Sequence, residues 1–262
     1  MYRSALMVLL LLPVQARAAA WTQAAGSGQA IASLLYTDAR HSFGGGGRAG
    51  TQVRFQRMLL QSDISYGWRD SVTFLVRSET AMVRLGSGSG AASTVSNAIE
   101  AGGRARLGTG VLRDDDVLAV EGTLRSAGAF NFSASANGQT GGQGSGLRLL
   151  YATPYKLDEC DGFLDVELGQ RWLTPPRPDE TLLDLTAGLW LTPAGMIMLQ
   201  SFNLISAPAR IPYVRLRSHK IQASYVWRMS PRFSLQSGAY FSPAGTNALQ
   251  ESGLVVSLWT NF

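Results

Sequence analysis

The chain has 262 residues, of which 45% are hydrophobic and 16% are charged, and its formal net charge is +5. This length corresponds to one or two domains, and so small a positive balance does not indicate nucleic-acid binding. Beyond the first 20 residues no segment approaches 18 consecutive apolar residues, which excludes helical membrane spans. The single cysteine, Cys160, cannot form an internal disulfide.

The N-terminus has the three parts of a secretory signal peptide. Arg3 supplies the positive start, residues 5–14 form an apolar run, and the small residues 18–20 precede Trp21. The apolar run is too short for a membrane span, which needs about 20 residues. We therefore predict a cleaved signal peptide over residues 1–20 and one domain over residues 21–262.

Turn-forming residues divide the rest of the chain into short turns that alternate with longer loops. The short turns are predicted at 66–70, 112–116, 157–162, 192–195 and 228–232. The longer loops are predicted at 38–50, 86–96, 128–145, 174–180, 207–213 and 243–248. The strands between them are predicted at 28–37, 51–65, 71–85, 97–111, 117–127, 146–156, 163–173, 181–191, 196–206, 214–227, 233–242 and 249–262. Alternating turn and loop lengths and an even strand count are typical of a transmembrane barrel.

Several strands alternate apolar with polar residues. The segments 97–111, 117–127 and 163–173 each carry apolar side chains on one face and charged ones on the other. In 196–206 and 51–65 the two faces cannot be told apart by this criterion. The pattern predicts an all-β fold, an antiparallel up-and-down transmembrane β-barrel of about 12 strands. A secreted β-sandwich is the alternative, because a soluble sheet would alternate in the same way.

The C-terminus carries a further signal. An apolar ladder on one face of the last strand ends on an aromatic residue, and its members are Leu254, Val256, Leu258, Thr260 and Phe262. This ending resembles the assembly signal of the Gram-negative outer-membrane β-barrel superfamily. The resemblance implies an outer-membrane location with both termini in the periplasm. It implies as partners the barrel assembly machinery, periplasmic chaperones and outer-membrane lipids.

A second resemblance is to small transporter-like barrels associated with phenol-degradation (meta-pathway) operons. It depends on the glycine-rich segment 26–29, the turn segment 66–70 and Glu79. Most of the other turns do not match, and the resemblance implies transport without naming a substrate.

The face of the strands that we predict to line the lumen is rich in charge. Its members are Arg77, Glu79, Glu100, Arg104, Arg106, Glu121, Arg125, Arg148, Asp165, Glu167, Arg171, Asp184 and Lys220. Opposed basic and acidic rows could produce a transverse field that orients small polar or anionic solutes in a narrow channel. The alternative is a salt-bridge network that fills a plugged lumen.

A group of basic residues lies near the outer end of one strand pair. Arg210, Arg215 and Arg217 are candidates for contact with the phosphates of lipopolysaccharide. The alternative is a solvated rim.

No catalytic constellation is recognisable. The only histidines are His41 and His219, and Ser218 beside His219 would point to the opposite face of a strand. Zinc spacing and nucleotide-binding loops are absent, and Asp114–Asp116 lacks the spacing of a calcium loop. We therefore predict no cofactor, no metal and no enzymatic activity.

The sequence thus favours an outer-membrane channel or transporter-like pore for small polar or anionic solutes. The first alternative is a non-enzymatic barrel in a secretion or polysaccharide-export assembly, with the partners of such an assembly. The second is a lipid-modifying outer-membrane enzyme.

Overall fold

A computed structural model describes residues 20–86, 92–127, 143–208 and 214–262. These residues form an all-β structure. Its strands are β1 (Gly28–Phe43), β2 (Ala49–Arg69), β3 (Val72–Leu85), β4 (Ala92–Thr109), β5 (Val117–Ala127), β6 (Gly144–Leu157), β7 (Cys160–Leu173), β8 (Glu180–Thr192), β9 (Gly195–Ser206), β10 (Arg217–Arg228), β11 (Phe233–Thr246) and β12 (Leu249–Asn261). None of the described segments is a helix long and apolar enough to cross a bilayer.

The strands close into one antiparallel barrel in sequence order. Each strand pairs with its neighbours in the chain, and β1 pairs with β12 to complete the ring. At the start of β1, Gly28 and Phe262 form two backbone hydrogen bonds, at 2.7 and 2.9 Å, that extend the β1–β12 pairing to the C-terminal residue. A closed ring leaves no unpaired sheet edge. The predicted 12-stranded barrel is confirmed, and the β-sandwich alternative is wrong.

The two ends of the barrel differ. An even number of strands brings Gly28 and Phe262 to the same end as the short connections, and we call this the turn end. The opposite end, which carries most of the longer connections, we call the loop end. Two connections depart from the predicted alternation: β11 runs to Thr246, so the predicted loop 243–248 is wrong, and the β4–β5 connection at the turn end spans residues 110–116.

Strand boundaries depart from the prediction mainly at the loop end. We predicted the first strand to end at residue 37, but β1 continues to Phe43 and pairs with β2 as far as Ala49. Residues 38–42 are mostly polar and give no apolar alternation, yet the backbone ladder extends through them with two register shifts. The strand predicted to start at 214 starts at Arg217.

The outer face of the barrel is apolar. Large hydrophobic side chains are exposed on every strand, among them Leu34, Leu60, Phe74, Ile99, Leu124, Leu149, Leu168, Leu185, Leu199, Tyr225, Phe241 and Leu254. A continuous apolar surface of this kind marks contact with an apolar environment, as in membrane barrels.

The connection between β4 and β5 is held by one carboxylate. Asp116 is fully buried, and its oxygens accept hydrogen bonds from the backbone N–H groups of Leu112 (2.7 Å), Val111 (2.6 Å) and Arg113 (2.9 Å). Tyr151 donates a further hydrogen bond to it at 3.1 Å. Burial acts to raise the pKa of Asp116, but these backbone N–H groups outweigh it and lower the pKa below its ordinary value.

Candidate functional site: the barrel lumen

The centre of the lumen is an ion-paired cluster on β3, β4 and β5. Glu121 has a fully buried side chain, and it accepts hydrogen bonds from Arg77 at 2.7 and 3.1 Å and from Arg104 at 2.7 Å. Arg77 and Glu121 lie two strands apart, so both side chains must point inward. A buried carboxylate between two guanidinium groups is a strong electrostatic contact that fixes the positions of both arginines.

The cluster extends to either side through further pairs. Arg77 also contacts Asp63 at 2.7 Å and Glu100 at 3.3 Å. Arg125 contacts Glu79 at 2.9 Å and Glu100 at 3.4 Å. The strand register explains this arrangement, because Arg77 stands directly opposite Asp63 and Glu100, and Glu100 stands directly opposite Arg125.

A second group of ion pairs lies on β6, β7 and β8. Arg148 contacts Glu167 at 2.7 Å and Asp184 at 3.6 Å. Glu167 and Asp184 are directly opposite in the register, so the guanidinium bridges two carboxylates that would otherwise repel each other. Arg171 contacts Glu180 at 2.8 Å.

A third group lies on the other side of the β1 seam. The carboxylate of Glu251 on β12 contacts both Lys220 on β10 and Arg57 on β2, the latter at 3.5 Å. The guanidinium of Arg57 also donates to Thr37 at 3.4 Å, and Thr37 shares a short hydrogen bond with Tyr240. Two cations thus share one carboxylate. We call these two cations, Arg57 and Lys220, the Arg57–Lys220 pair.

The charged residues predicted for the lumen lie on the inward side of their strands. They are Arg77, Glu79, Glu100, Arg104, Arg106, Glu121, Arg125, Arg148, Asp165, Glu167, Arg171, Asp184 and Lys220. Sequence reasoning missed Arg57, Asp63, Glu180 and Glu251, which belong to the same face. Arg57 and Asp63 lie on β2, where alternation was ambiguous, and Glu251 lies at the start of β12, where the prediction followed only the apolar face.

The remaining side of the lumen, formed by β1 and β9–β12, carries mostly neutral residues. Hydrogen bonds along it join Ser33 to Ser257 at 2.8 Å and Gln222 to Gln200 at 2.9 Å. Apolar side chains stand among these polar groups, including Leu35, Met198 and Val255. We call this side the neutral wall.

A cavity of about 440 Å³ lies between the neutral wall and the charged groups. Volumes of this order accommodate small organic ligands. Its lining changes along the barrel axis. Asp165 and Trp259 line it toward the turn end, Leu59 lies between these residues and Arg57 along the axis, and the Arg57–Lys220 pair lies closer to the loop end.

The segment Ala20–Ser27 lies at the turn end of the barrel, with its first residues inside the lumen and residues 24–26 exposed. Ala20 is fully buried and donates its backbone N–H to Asp165 at 3.3 Å, while the ring of Trp21 packs edge-on against Phe163. Arg104 donates to the carbonyl of Trp21 at 3.4 Å. The segment therefore contacts both Arg104 of the ion-paired cluster and Phe163, which lines the cavity.

The absence of a side chain at Gly67 allows the N-terminal segment to approach the end of β2. The segment pairs with the end of β2 through Gly26 and Gly67 at 2.8 Å and through Gly67 and Ser27 at 2.9 Å. A side chain at Gly67 would collide with the carbonyl oxygens of Ala24 and Gln23. The two segments that carry the second resemblance, 26–29 and 66–70, are thus in direct contact.

An apolar cluster lies toward the loop end of the barrel. Phe43, Leu182, Leu204, Leu216 and Ala248 pack together there, although they come from opposite parts of the sequence. Rings of apolar side chains can restrict passage through a pore by excluding water.

The described residues hold no group of three or more His, Cys, Asp or Glu side chains that could bind a metal ion. His219 points to the outer face and hydrogen-bonds Asn203, whereas Ser218 lines the cavity on the other side of the strand. His41 is exposed on β1 near the loop end. Cys160 is a half-buried free thiol at the start of β7.

The remaining predicted residues that the structure describes lie on the outside. Arg215 and Arg217 are exposed at the loop end, and Arg210 lies outside the described residues. The apolar ladder of β12 faces outward, with Leu254, Val256, Leu258 and Phe262 all exposed.

Sequence comparisons find no relative, since no family model and no curated protein matches the chain. Solved structures do match. An outer-membrane channel from Pseudomonas putida F1 superposes with a TM-score of 0.67 over 94% of this chain and 99% of that one, at 13% identity. The NanC porin superposes with a TM-score of 0.52 over 88% of this chain and 98% of its own, at 8% identity.

Autotransporter barrels share the architecture as well. The translocator domain of NalP from Neisseria meningitidis matches with a TM-score of 0.50 over 92% of this chain and 90% of that one, at 11% identity. Identities this low establish the fold and leave the solute open. The resemblance to outer-membrane β-barrels is confirmed at the level of the fold, and the channel from Pseudomonas fits the second resemblance at that same level.

Proposed function

We propose that the protein is an outer-membrane channel that admits small solutes into its lumen, with both termini in the periplasm. The observation that carries this proposal is a closed barrel, apolar outside, with a cavity of about 440 Å³ inside. An interior cavity in a barrel with an apolar outer face suits a solute that enters from one end and leaves at the other.

The contents of the lumen point to a narrow path. The segment Trp21–Ser27, which remains after cleavage at Ala20, lies at the turn end, and the apolar cluster around Phe43 and Leu204 lies toward the loop end. Both interpretations of the charged face, a narrow channel and a salt-bridge network that fills the lumen, therefore contribute to this proposal. The ion pairs fill one side of the lumen, while the neutral wall leaves room for a solute beside them.

Conductance of the purified protein in planar bilayers tests this proposal. Glu167→Gln removes a lumen carboxylate next to Arg148, so in a salt gradient the reversal potential should shift toward anion selectivity. Arg104→Gln should shift it the opposite way. Glu159→Gln, which changes an exposed turn residue, is the matched control and should leave it unchanged. Absence of conductance in the native protein and in both lumen variants would overturn the channel proposal.

The location and partners follow the same reasoning. Apolar strands facing outward would contact outer-membrane lipid, and Arg215 and Arg217 at the loop end would then face lipopolysaccharide. Insertion by the barrel assembly machinery, after escort by periplasmic chaperones, suits the outward ladder of β12. Intact mass of the protein purified from outer membranes tests the signal peptide, since cleavage after Ala20 makes Trp21 the first residue.

A further inference from the structure

The Arg57–Lys220 pair has a charge pattern unlike that of the other ion pairs in the lumen. Arg57 and Lys220 share the carboxylate of Glu251, so these three side chains together carry one positive charge in excess. Three other carboxylates line the cavity: Glu79 contacts Arg125, Asp184 contacts Arg148, and Asp165, toward the turn end, accepts a hydrogen bond from the backbone of Ala20. The segments outside the described residues contain no aspartate or glutamate, so they add no acidic side chain to this pair.

The guanidinium of Arg57 also retains unused hydrogen-bonding capacity. Its side chain is 5% exposed, and its Nε–H has no hydrogen-bond acceptor among the described residues. Guanidinium groups usually pair with carboxylates through two donors, and a buried donor without an acceptor is costly. An anion in the cavity would supply this acceptor to Arg57.

The surface beside this pair is apolar. Leu35 and Leu59 stand directly opposite each other in the β1–β2 register, and both line the cavity next to Arg57. Val255 and Phe202 line it as well. A ligand whose charged group meets Arg57 would thus lay the rest of its length against hydrocarbon.

We propose that the lumen cavity binds an amphipathic monocarboxylate, with its carboxylate on Arg57 and Lys220 and its alkyl chain along Leu35, Leu59 and Val255. This inference names a class of solute for the proposed channel, and the conclusion that this solute is transported rests on the channel proposal. A fully hydrated inorganic anion would leave the apolar surface unused, and a neutral hydrocarbon would leave the Nε–H of Arg57 without an acceptor.

Isothermal titration of the purified full-length barrel with hexanoate, hexanamide and acetate tests the site. Hexanoate should bind most tightly, because hexanamide lacks the charge and acetate lacks the chain. Arg57→Gln should weaken hexanoate binding by about tenfold or more, since it removes a charge-assisted contact, and should leave hexanamide unaffected. Arg113→Gln, at an exposed turn position, is the matched control and reports partition into detergent.

Two further variants keep the result interpretable. Lys220→Met should weaken hexanoate binding in the same direction, and Arg57→Lys should retain it, because a cation remains. If Arg57→Gln does not fold, as judged by heat-modifiable migration, hexanoate binding by Lys220→Met and Arg57→Lys decides whether the site exists. Equal binding of hexanoate and hexanamide, or binding of hexanoate unchanged in Lys220→Met, overturns the site.

The two proposals fail separately. Conductance without charge-dependent hexanoate binding would overturn the carboxylate site and leave the channel standing. Hexanoate binding that depends on Arg57, in a barrel that never conducts, would overturn the channel and leave the site standing as a binding pocket.

Discussion

Gly67 on β2 lies so close to Ala24 that a Cβ atom at residue 67 would strike the Ala24 carbonyl oxygen. Ala24 belongs to the segment Ala20–Ser27, which lies at the turn end of the barrel. A single missing side chain on the wall therefore allows the N-terminal segment to lie inside it.

Gly67→Ala should displace this segment and increase conductance. Overpacking of this kind costs about 1–3 kcal/mol, and the segment can move away more easily than the barrel wall. Single-channel recording measures the effect. Gly122→Ala is the control, since a Cβ there meets open space. Equal conductance in the two variants would mean that the segment does not obstruct the path.

Glu121→Gln should destabilise the barrel. The substitution leaves Arg77 and Arg104 with a neutral partner in a fully buried position, and disruption of a buried ion pair costs about 3 kcal/mol. We expect a lower urea midpoint for the folded form in gel-shift unfolding. The exposed Glu159→Gln should unfold like the native protein, and a native midpoint for Glu121→Gln would show that the cluster contributes little to stability.

Asp116 predicts an acid limit for the β4–β5 turn. Because its pKa is lowered in the folded protein, the ionised carboxylate stabilises the turn at pH values above its ordinary pKa of 3.8, and this stabilisation is lost as the pH falls below that value. Limited proteolysis at Arg113 with a protease active across this range should show the native turn protected at pH 6 and less protected near pH 3. Asp116→Asn should be cleaved readily at both pH values. A native protein with the same protection throughout would contradict this assignment.

Phe262→Ser should reduce the amount of folded barrel in the outer membrane. The side chain is exposed at the end of the outward ladder, and its backbone joins β12 to β1 at Gly28. Heat-modifiable migration of membrane fractions measures the folded share. Asn261→Ser changes the neighbouring residue without altering the ladder and serves as the control. Refolding of Phe262→Ser in detergent should remain near native if the residue acts in assembly rather than in stability.

The residues that line the lumen could be predicted from sequence only on strands whose inner and outer faces differ in polarity. On β5 and β7, charged residues alternate with apolar ones, so Glu121 and Glu167 could be assigned to the inside. On β9 the inner residues Met196, Met198 and Phe202 are as apolar as the outer ones, so alternation carries no information there. The neutral wall, the cavity and the involvement of Arg57 were missed for this reason.

The sequence by itself determined the strand count, the closing strand with its outward ladder, and the inward side of the charged strands. Those features depend on local periodicity and on turn-forming residues, which each segment carries independently of its neighbours. Only the tertiary structure decided which charges meet, because Arg77 reaches Glu121 through the stagger of three strands. It also decided that Trp21 and Thr22 lie within the barrel and that Glu251 joins Arg57 to Lys220. Ring closure alone brings the first, second, tenth and last strands around one cavity.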